Sequence, residues 1–191
     1  GKSTTLAAMI DHRNTLKTGH ILTVEDPIEY LFRHKKSIVN QRELNVDTLT
    51  YTKALANALR EAPDLIMIGE IRDRETMQSA LLHTLTGHLC LATLHANNSY
   101  HALSRIINMF PYDARSGLLS DLSIGLRAIV SQRLVRNNEN GLQPAVEILL
   151  NSSLIAELVK NGEITQIQEA MEKSLYPGSQ TLEQSLCRLY I

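Results

Sequence analysis

Short apolar segments alternate with longer segments of helical character along the first hundred residues, and no other feature narrows the choice of fold as much. Short apolar runs bounded by turn residues are typical of buried strands, and longer periodic segments are typical of helices. The predicted strands are residues 21–24, 65–68 and 88–94, with a weaker one at 37–40. The predicted helices are residues 3–18, 50–61, 74–86, 99–109 and 113–130. This alternation favours an α/β domain with a mostly parallel sheet.

A hairpin and a helical end are predicted for the rest of the chain. Residues 131–150 have the pattern of two strands that turn at residues 137–141, where asparagine and glycine gather. Residues 151–191 predict three short helices. We therefore expect a core domain over residues 1–150 and a small C-terminal helical appendage over residues 151–191.

Charge and composition argue against several classes of protein. The chain has 20 acidic and 19 basic residues and only 4% aromatic residues. Bulk charge and base stacking therefore do not favour a nucleic-acid motor. Two cysteines are too few for a four-thiolate zinc site and fit a reducing, cytosolic setting. No apolar run reaches the roughly 18 residues of a membrane-spanning helix, so we expect none. The chain starts without methionine, and we expect it to be part of a longer protein.

The strongest chemical signal is Gly1-Lys2-Ser3 at the start of a predicted helix. It matches the second half of the phosphate-binding loop G-x-x-x-x-G-K-[ST]. Glycine lets the backbone approach a phosphate, and the helix N-terminus adds N–H donors. Lys2 would contact the β- and γ-phosphates and the Ser3 hydroxyl would bind Mg²⁺. The alternative is a chance tripeptide, since this combination is common.

A carboxylate at the end of a buried strand is the second signal. Glu70 follows the apolar run 65–68 directly. NTPases with a phosphate-binding loop need such an acid near Mg²⁺ and the attacking water. The alternative is an acid that caps the next helix, a role that Asp73 can fill instead.

Three carboxylates gather after the first predicted strand, namely Glu25, Asp26 and Glu29. They repel one another unless a positive group, Mg²⁺ or arginine, binds there. The alternative is a solvated acidic turn. Arg42 and Arg72 could each place a guanidinium on phosphate, although a surface ion pair is an equally good interpretation of each.

Two histidines flank the third predicted strand. His88 and His95 are an odd number of residues apart, so in a regular strand they point to opposite faces and do not share a metal. Near a triphosphate, either could sense or stabilise the γ-phosphate. The alternative is a structural histidine.

The order of these signals resembles a known family. The motifs that carry the resemblance are GKSTTLAAMID, ILTVEDPIEY, DLIMIGEIRDRETM and TGHLCLATLHANN. They look like the Walker A, Asp box, Walker B and His box of the secretion ATPase superfamily. Within it the chain resembles the type IV pilus retraction ATPases (PilT and PilU), and the stretch from Cys90 to Asn98 is more similar to the accessory, PilU-like branch.

The resemblance implies a RecA-like P-loop ATPase core over residues 1–150, with an upstream PAS-like domain outside this sequence. It implies ATP and Mg²⁺ as cofactors and a homohexamer, with mixed assembly with a paralogous ATPase as a further option. It also implies an inner-membrane platform protein as partner, a cytoplasmic location at the pilus base, and pilin withdrawal during twitching motility as the work done.

The resemblance also implies roles for single residues. The catalytic set is Glu70, Glu29, His95 and His88. The nucleotide-binding set is Gly1, Lys2, Ser3, Thr4, Arg42, Glu25 and Asp26. Mg²⁺ would be bound by Ser3 and Glu70.

Two alternatives remain within this class. A pilus extension or type II secretion ATPase is the first, but those proteins usually carry a four-cysteine zinc insertion, and this sequence has two cysteines. The second is a weakly active accessory subunit that modulates a paralogue. It is motivated by Ala156, which stands where the retraction motors' A-I-R-N-L-I-R-E motif has its first arginine.

Overall fold

The computed structural model describes residues 1–137, 141–173 and 178–190. The chain divides into two compact units, Gly1–Leu94 and His95–Ile191. The domain boundary that we expect at residue 150 stays a prediction.

A parallel four-stranded sheet forms the centre of the first unit. Its order is β2-β1-β3-β4 and every neighbouring pair is parallel. The strands are β1 Gly19–Glu25, β2 Ser37–Glu43, β3 Leu65–Ile68 and β4 Leu89–Ala92. The helices of this unit are α1 Lys2–Leu16, α2 Tyr51–Glu61 and α3 Arg74–Leu85. The predicted α/β class with a parallel sheet is confirmed.

The inner strands are buried because the sheet is covered on both faces, as parallel sheets require. Every residue of β3 is buried, and the last five residues of β1 are buried. Ile10 of α1 packs on one face of the sheet against Ile21, Leu65 and Met67. Because the strands are parallel, their carboxyl ends lie at one edge, where ligands of α/β proteins bind.

Side-chain caps fix where two helices of this unit begin. The Thr50 side chain accepts a hydrogen bond from the Lys53 backbone N–H at the start of α2. Asp73 accepts from the Thr76 backbone N–H at 2.8 Å at the start of α3. Asp73 therefore caps α3, and Glu70 is not the cap of this helix.

The second unit combines helices with an antiparallel hairpin. Its helices are α4 Ser99–Asn108, α5 Arg115–Gly125, α6 Ser153–Asn161, α7 Ile167–Glu172 and α8 Leu182–Tyr190, with two short 3₁₀ turns. The hairpin strands are β5 Ala128–Arg136 and β6 Leu142–Leu150. The predicted hairpin is confirmed, while most of its predicted turn, residues 138–140, lies outside the described residues.

The helix predicted over residues 113–130 is wrong at its end. Helix α5 stops at Gly125, and Leu126 has an extended backbone. Ala128, Ile129 and Val130 instead pair with β6. A short apolar run cannot be assigned to helix or strand from its periodicity alone, and here the pairing with a partner strand decides. Within the described residues, no helix has the length and apolar character needed to cross a membrane.

A buried histidine on α3 makes stability depend on pH. His83 is 1% exposed, and its Nε2 lies 2.9 Å from the backbone oxygen of Leu55. Burial lowers the pKa of His83 below its usual value near 6.5, and the neighbouring His88 adds a smaller effect in the same direction. The unfolded chain therefore binds this proton more readily than the folded chain, and stability falls as pH falls through 6.5 toward the lowered pKa.

We expect His83→Gln to flatten this dependence. In urea titrations of the full-length protein between pH 7 and pH 5, the wild-type free energy of unfolding should fall more steeply. The difference in slope should be at most about 1.4 kcal/mol per pH unit, the limit for one proton. His12→Gln removes an exposed histidine of α1 and serves as the control. Equal slopes for the wild type and His83→Gln would contradict the assignment.

Candidate functional site

The first turn of α1 meets the acidic loop, which we define as residues 26–32. The Ser3 hydroxyl donates a hydrogen bond to Glu29 Oε1 at 3.0 Å. One residue along each segment, the Thr4 hydroxyl and the Tyr30 hydroxyl lie 3.1 Å apart. The structure thus places Glu29 beside the helix N-terminus, where backbone N–H groups attract anions.

The three clustered carboxylates do not converge on one ligand. Glu25 is buried and accepts hydrogen bonds from the Thr23 hydroxyl at 2.7 Å and the Gln41 amide at 3.1 Å. Asp26 pairs with Arg72 at 3.0 Å, and Glu29 accepts from Ser3. The repulsion predicted from the sequence is therefore relieved by four different side chains, of which one is an arginine.

Arg72 links the two acidic strand ends. Its Nε donates to Glu70 Oε2 at 2.6 Å and its Nη1 donates to Asp26 Oδ2 at 3.0 Å. The Glu70 side chain is 16% exposed, so this ion pair is only partly screened by water. The hydrogen bond to Glu70, and next the negative charge of Glu70, raise the pKa of Arg72 above its usual value. The structure thus brings Glu70 and Asp26 together through one cation.

Gly69 lets β1 and β3 come close at this edge. A Cβ atom added at Gly69 would lie 3.2 Å from the Glu25 Cα and 3.2 Å from the Tyr51 hydroxyl oxygen. The Gly69 N–H also donates to the Val24 carbonyl at 2.8 Å. Burial, and next the charge of Asp26, raise the pKa of Tyr51. The phenol therefore stays neutral beside the carboxylates.

Three predicted residues have other described contacts than the Ser3–Glu29 hydrogen bond. Arg42 forms an ion pair with Glu61 at the end of α2. The His88 Nδ1 lies 3.2 Å from the backbone oxygen of His83. His95 belongs to the second unit, where its carbonyl accepts from Arg105 at 2.9 Å. The roles given to Arg42, His88 and His95 stay predictions.

Two residues that contact the acidic loop were missed in the sequence. Gln41 and Glu43 of β2 both hydrogen-bond to backbone atoms of this loop. Strand alternation was the signal that could have found them, because it places Gln41 and Glu43 on one face and Arg42 on the other.

The donor atoms suit a magnesium ion that arrives with a nucleotide. In the described parts of the chain, no group of three or more histidine, cysteine, aspartate or glutamate residues could hold a metal by itself. Mg²⁺ usually binds one or two protein oxygens together with substrate phosphates and water. The Ser3 hydroxyl and the Glu29 carboxylate are such a pair of oxygens at the helix N-terminus. The predicted Mg²⁺ site of Ser3 with Glu70 stays a prediction.

A family model described as type II/IV secretion system protein matches residues 1–180. The chain belongs to the type II/IV secretion system protein family. In this family it is 51% identical over 191 residues to the type IV pilus ATPase PilU of Pseudomonas aeruginosa, covering 100% of this chain and 50% of that protein. It is 42% identical over 186 residues to the type IV pilus retraction ATPase PilT of the same organism, covering 97% and 54%.

A solved structure confirms that this chain has the fold of an ATPase of this kind. The pilus retraction motor PilT with bound ADP superposes with a TM-score of 0.92 at 44% identity, covering 100% of this chain and 54% of that one. The chain thus spans about half the length of the relatives that it matches. The resemblance to pilus retraction ATPases that the four motifs predict is confirmed.

Proposed function

We propose that the full-length protein containing this chain hydrolyses ATP, with the nucleotide phosphates bound at the first turn of α1. The observation that carries the proposal is the contact between Ser3 and Glu29 at 3.0 Å, which sets a hydroxyl and a carboxylate at a helix N-terminus. Phosphate is attracted by the N–H groups there, and the two oxygens suit the accompanying Mg²⁺.

Four residues of the candidate site have proposed parts in ATP hydrolysis. Lys2 would contact the β- and γ-phosphates, and the Ser3 hydroxyl would hold Mg²⁺, which neutralises charge on the transferred phosphoryl group. Glu70 would orient the attacking water or take part in binding the metal. Glu29 would be a catalytic carboxylate beside the γ-phosphate, because it accepts the hydrogen bond from Ser3.

We further propose that hydrolysis serves pilus retraction in a hexamer that works on an inner-membrane platform protein at the cytoplasmic side of the pilus base. The support is the similarity to PilU and PilT over 97–100% of this chain. Work on the pilus needs parts outside this chain, since the chain spans about half of those relatives.

A second candidate is an accessory subunit that assembles with a paralogous motor. Two observations favour it. Identity to PilU is 51%, against 42% to PilT of the same organism. Ala156 also stands where the motor motif has an arginine, on α6. An alanine side chain at this position carries no charge and cannot form an ion pair.

Steady-state ATP turnover of the full-length protein, alone and mixed with its paralogue, separates the two candidates. We expect turnover in at least one of these conditions, because a lysine, a hydroxyl and carboxylates of the kind that phosphoryl transfer uses are proposed for this site. Turnover per subunit that rises with protein concentration would indicate a self-assembling motor. Turnover only in the mixture would indicate an accessory subunit. No turnover attributable to this protein in either condition would contradict the ATPase proposal.

A further inference from the structure

Strand β2 presents different chemistry on its two faces. Arg42 points toward α2 and pairs with Glu61. Its neighbours Gln41 and Glu43 point to the other face, because side chains alternate along a strand. Both contact the acidic loop. The face of β2 without the arginine is therefore the one connected to the candidate site.

Both the nitrogen and the oxygen of the Gln41 side-chain amide hydrogen-bond to the acidic loop. Its Nε2 donates to the Tyr30 carbonyl at 2.8 Å and to Glu25 Oε1 at 3.1 Å. Its Oε1 accepts from the Phe32 backbone N–H at 2.9 Å. Glu43 Oε2 adds a third contact to the loop by accepting from the Ile28 backbone N–H at 3.0 Å. Backbone groups of an irregular loop need such partners, and here the partners lie on a strand of the rigid sheet.

The atoms held in this way flank Glu29. Ile28 and Tyr30 are its neighbours in the chain, and both are tied to β2. Glu29 itself accepts the hydrogen bond from Ser3 at 3.0 Å. The position of Glu29 against α1 therefore depends on hydrogen bonds made by the residues on either side of it. Displacement of a catalytic group by about 1 Å can cost about 10²-fold in rate.

We propose that Gln41 is a positioning residue that sets the Glu29 carboxylate against the first turn of α1, with Glu43 in support. The inference rests on the proposed ATPase function. Gln41 does not touch the phosphates in this scheme and acts only through the acidic loop. Its amide is required because one end donates and the other accepts, which no carboxylate or apolar side chain reproduces.

The test uses the full-length protein and a double-mutant cycle with Glu29→Gln. Gln41→Met keeps the length of the side chain and removes all its hydrogen bonds. We expect kcat to fall between about tenfold and a hundredfold, with KM changed less than about twofold. In the Glu29→Gln background, Gln41→Met should cause no further loss of kcat, because the group that it positions is already inactive.

Asn40→Met is the matched control. It also replaces an amide on β2, but on the opposite face, where the Asn40 amide lies 3.0 Å from His20 Nε2. We expect it to leave kcat within about twofold. An equal loss of kcat from Gln41→Met in the wild-type and Glu29→Gln backgrounds would overturn the inference, since the effect would then be independent of Glu29.

Amide hydrogen exchange of residues 26–32 gives a readout that does not need turnover. Gln41→Met should speed exchange of the Phe32 N–H, which donates to Gln41, at least about fivefold relative to Asn40→Met. If the wild type shows no ATP turnover, the proposed function fails, while exchange still judges the inference. Unchanged exchange in this loop would overturn it, and faster exchange with additive kinetics would leave Gln41 a structural residue only, which also overturns it.

Discussion

Glu70→Gln in the full-length protein is expected to leave ATP binding intact and to lower ATP turnover by about 10²-fold or more. The amide has the size of the carboxylate but no charge, so it cannot activate or orient water in the same way. Arg72 keeps its second partner, Asp26, at 3.0 Å, so the local structure should persist. Nucleotide affinity is measured with a fluorescent analogue and turnover by phosphate release.

Glu75→Gln is the control for this substitution. Glu75 is an exposed acid in the first turn of α3, close in sequence to Glu70 but outside the described hydrogen bonds of the site. It should change turnover less than about twofold. Turnover of Glu70→Gln equal to that of the wild type would remove Glu70 from the catalytic set, and loss of nucleotide binding would give it a binding role instead.

Ile66→Ala is expected to lower the free energy of unfolding by about 2–5 kcal/mol. Ile66 lies on β3 between two neighbouring strands and is 0% exposed. Truncation leaves a cavity that the surrounding parallel sheet cannot close without shifting. Because globular domains are stable by only about 5–15 kcal/mol, the loss should be visible in a urea titration as a lower midpoint.

Ile38→Ala is the matched substitution for comparison. Ile38 is also an isoleucine in the same sheet, but it lies on β2 and is 60% exposed. Its loss should cost about 0.5 kcal/mol or less. Equal effects of the two substitutions would mean that the β3 position is not a packed core site.

The strands of the first unit could be predicted because a buried strand has a simple sequence pattern, a short run of apolar residues. Residues 65–68 are apolar without interruption, as expected for a strand covered on both faces. Pro63 and Gly69 bound that run. The end of α5 could not be predicted in this way, since Ala128 and Ile129 fit a helix or a strand equally well until their partner in β6 is known.

The sequence analysis named residues for the candidate site but not their pairings. Glu70 was singled out by its place after an apolar strand and Glu29 by the resemblance to the Asp box, and the roles of both stay predictions. Which cation or hydroxyl each would meet depends on strand order and loop path, which local pattern does not encode. Arg72 therefore emerged as the link to Asp26 only in the structure. Gln41 was missed because an amide carries no charge signal.

The close approach at Gly69 has a consequence for how the site responds to thermal motion. The gap between the ends of β1 and β3 is set by main-chain contact, since even a methyl group at Gly69 would lie 3.2 Å from the Glu25 Cα. Arg72, by contrast, reaches Glu70 and Asp26 through side-chain contacts. The main chain therefore sets the spacing between the acidic ends of β1 and β3, and the ion pairs of Arg72 do not set it.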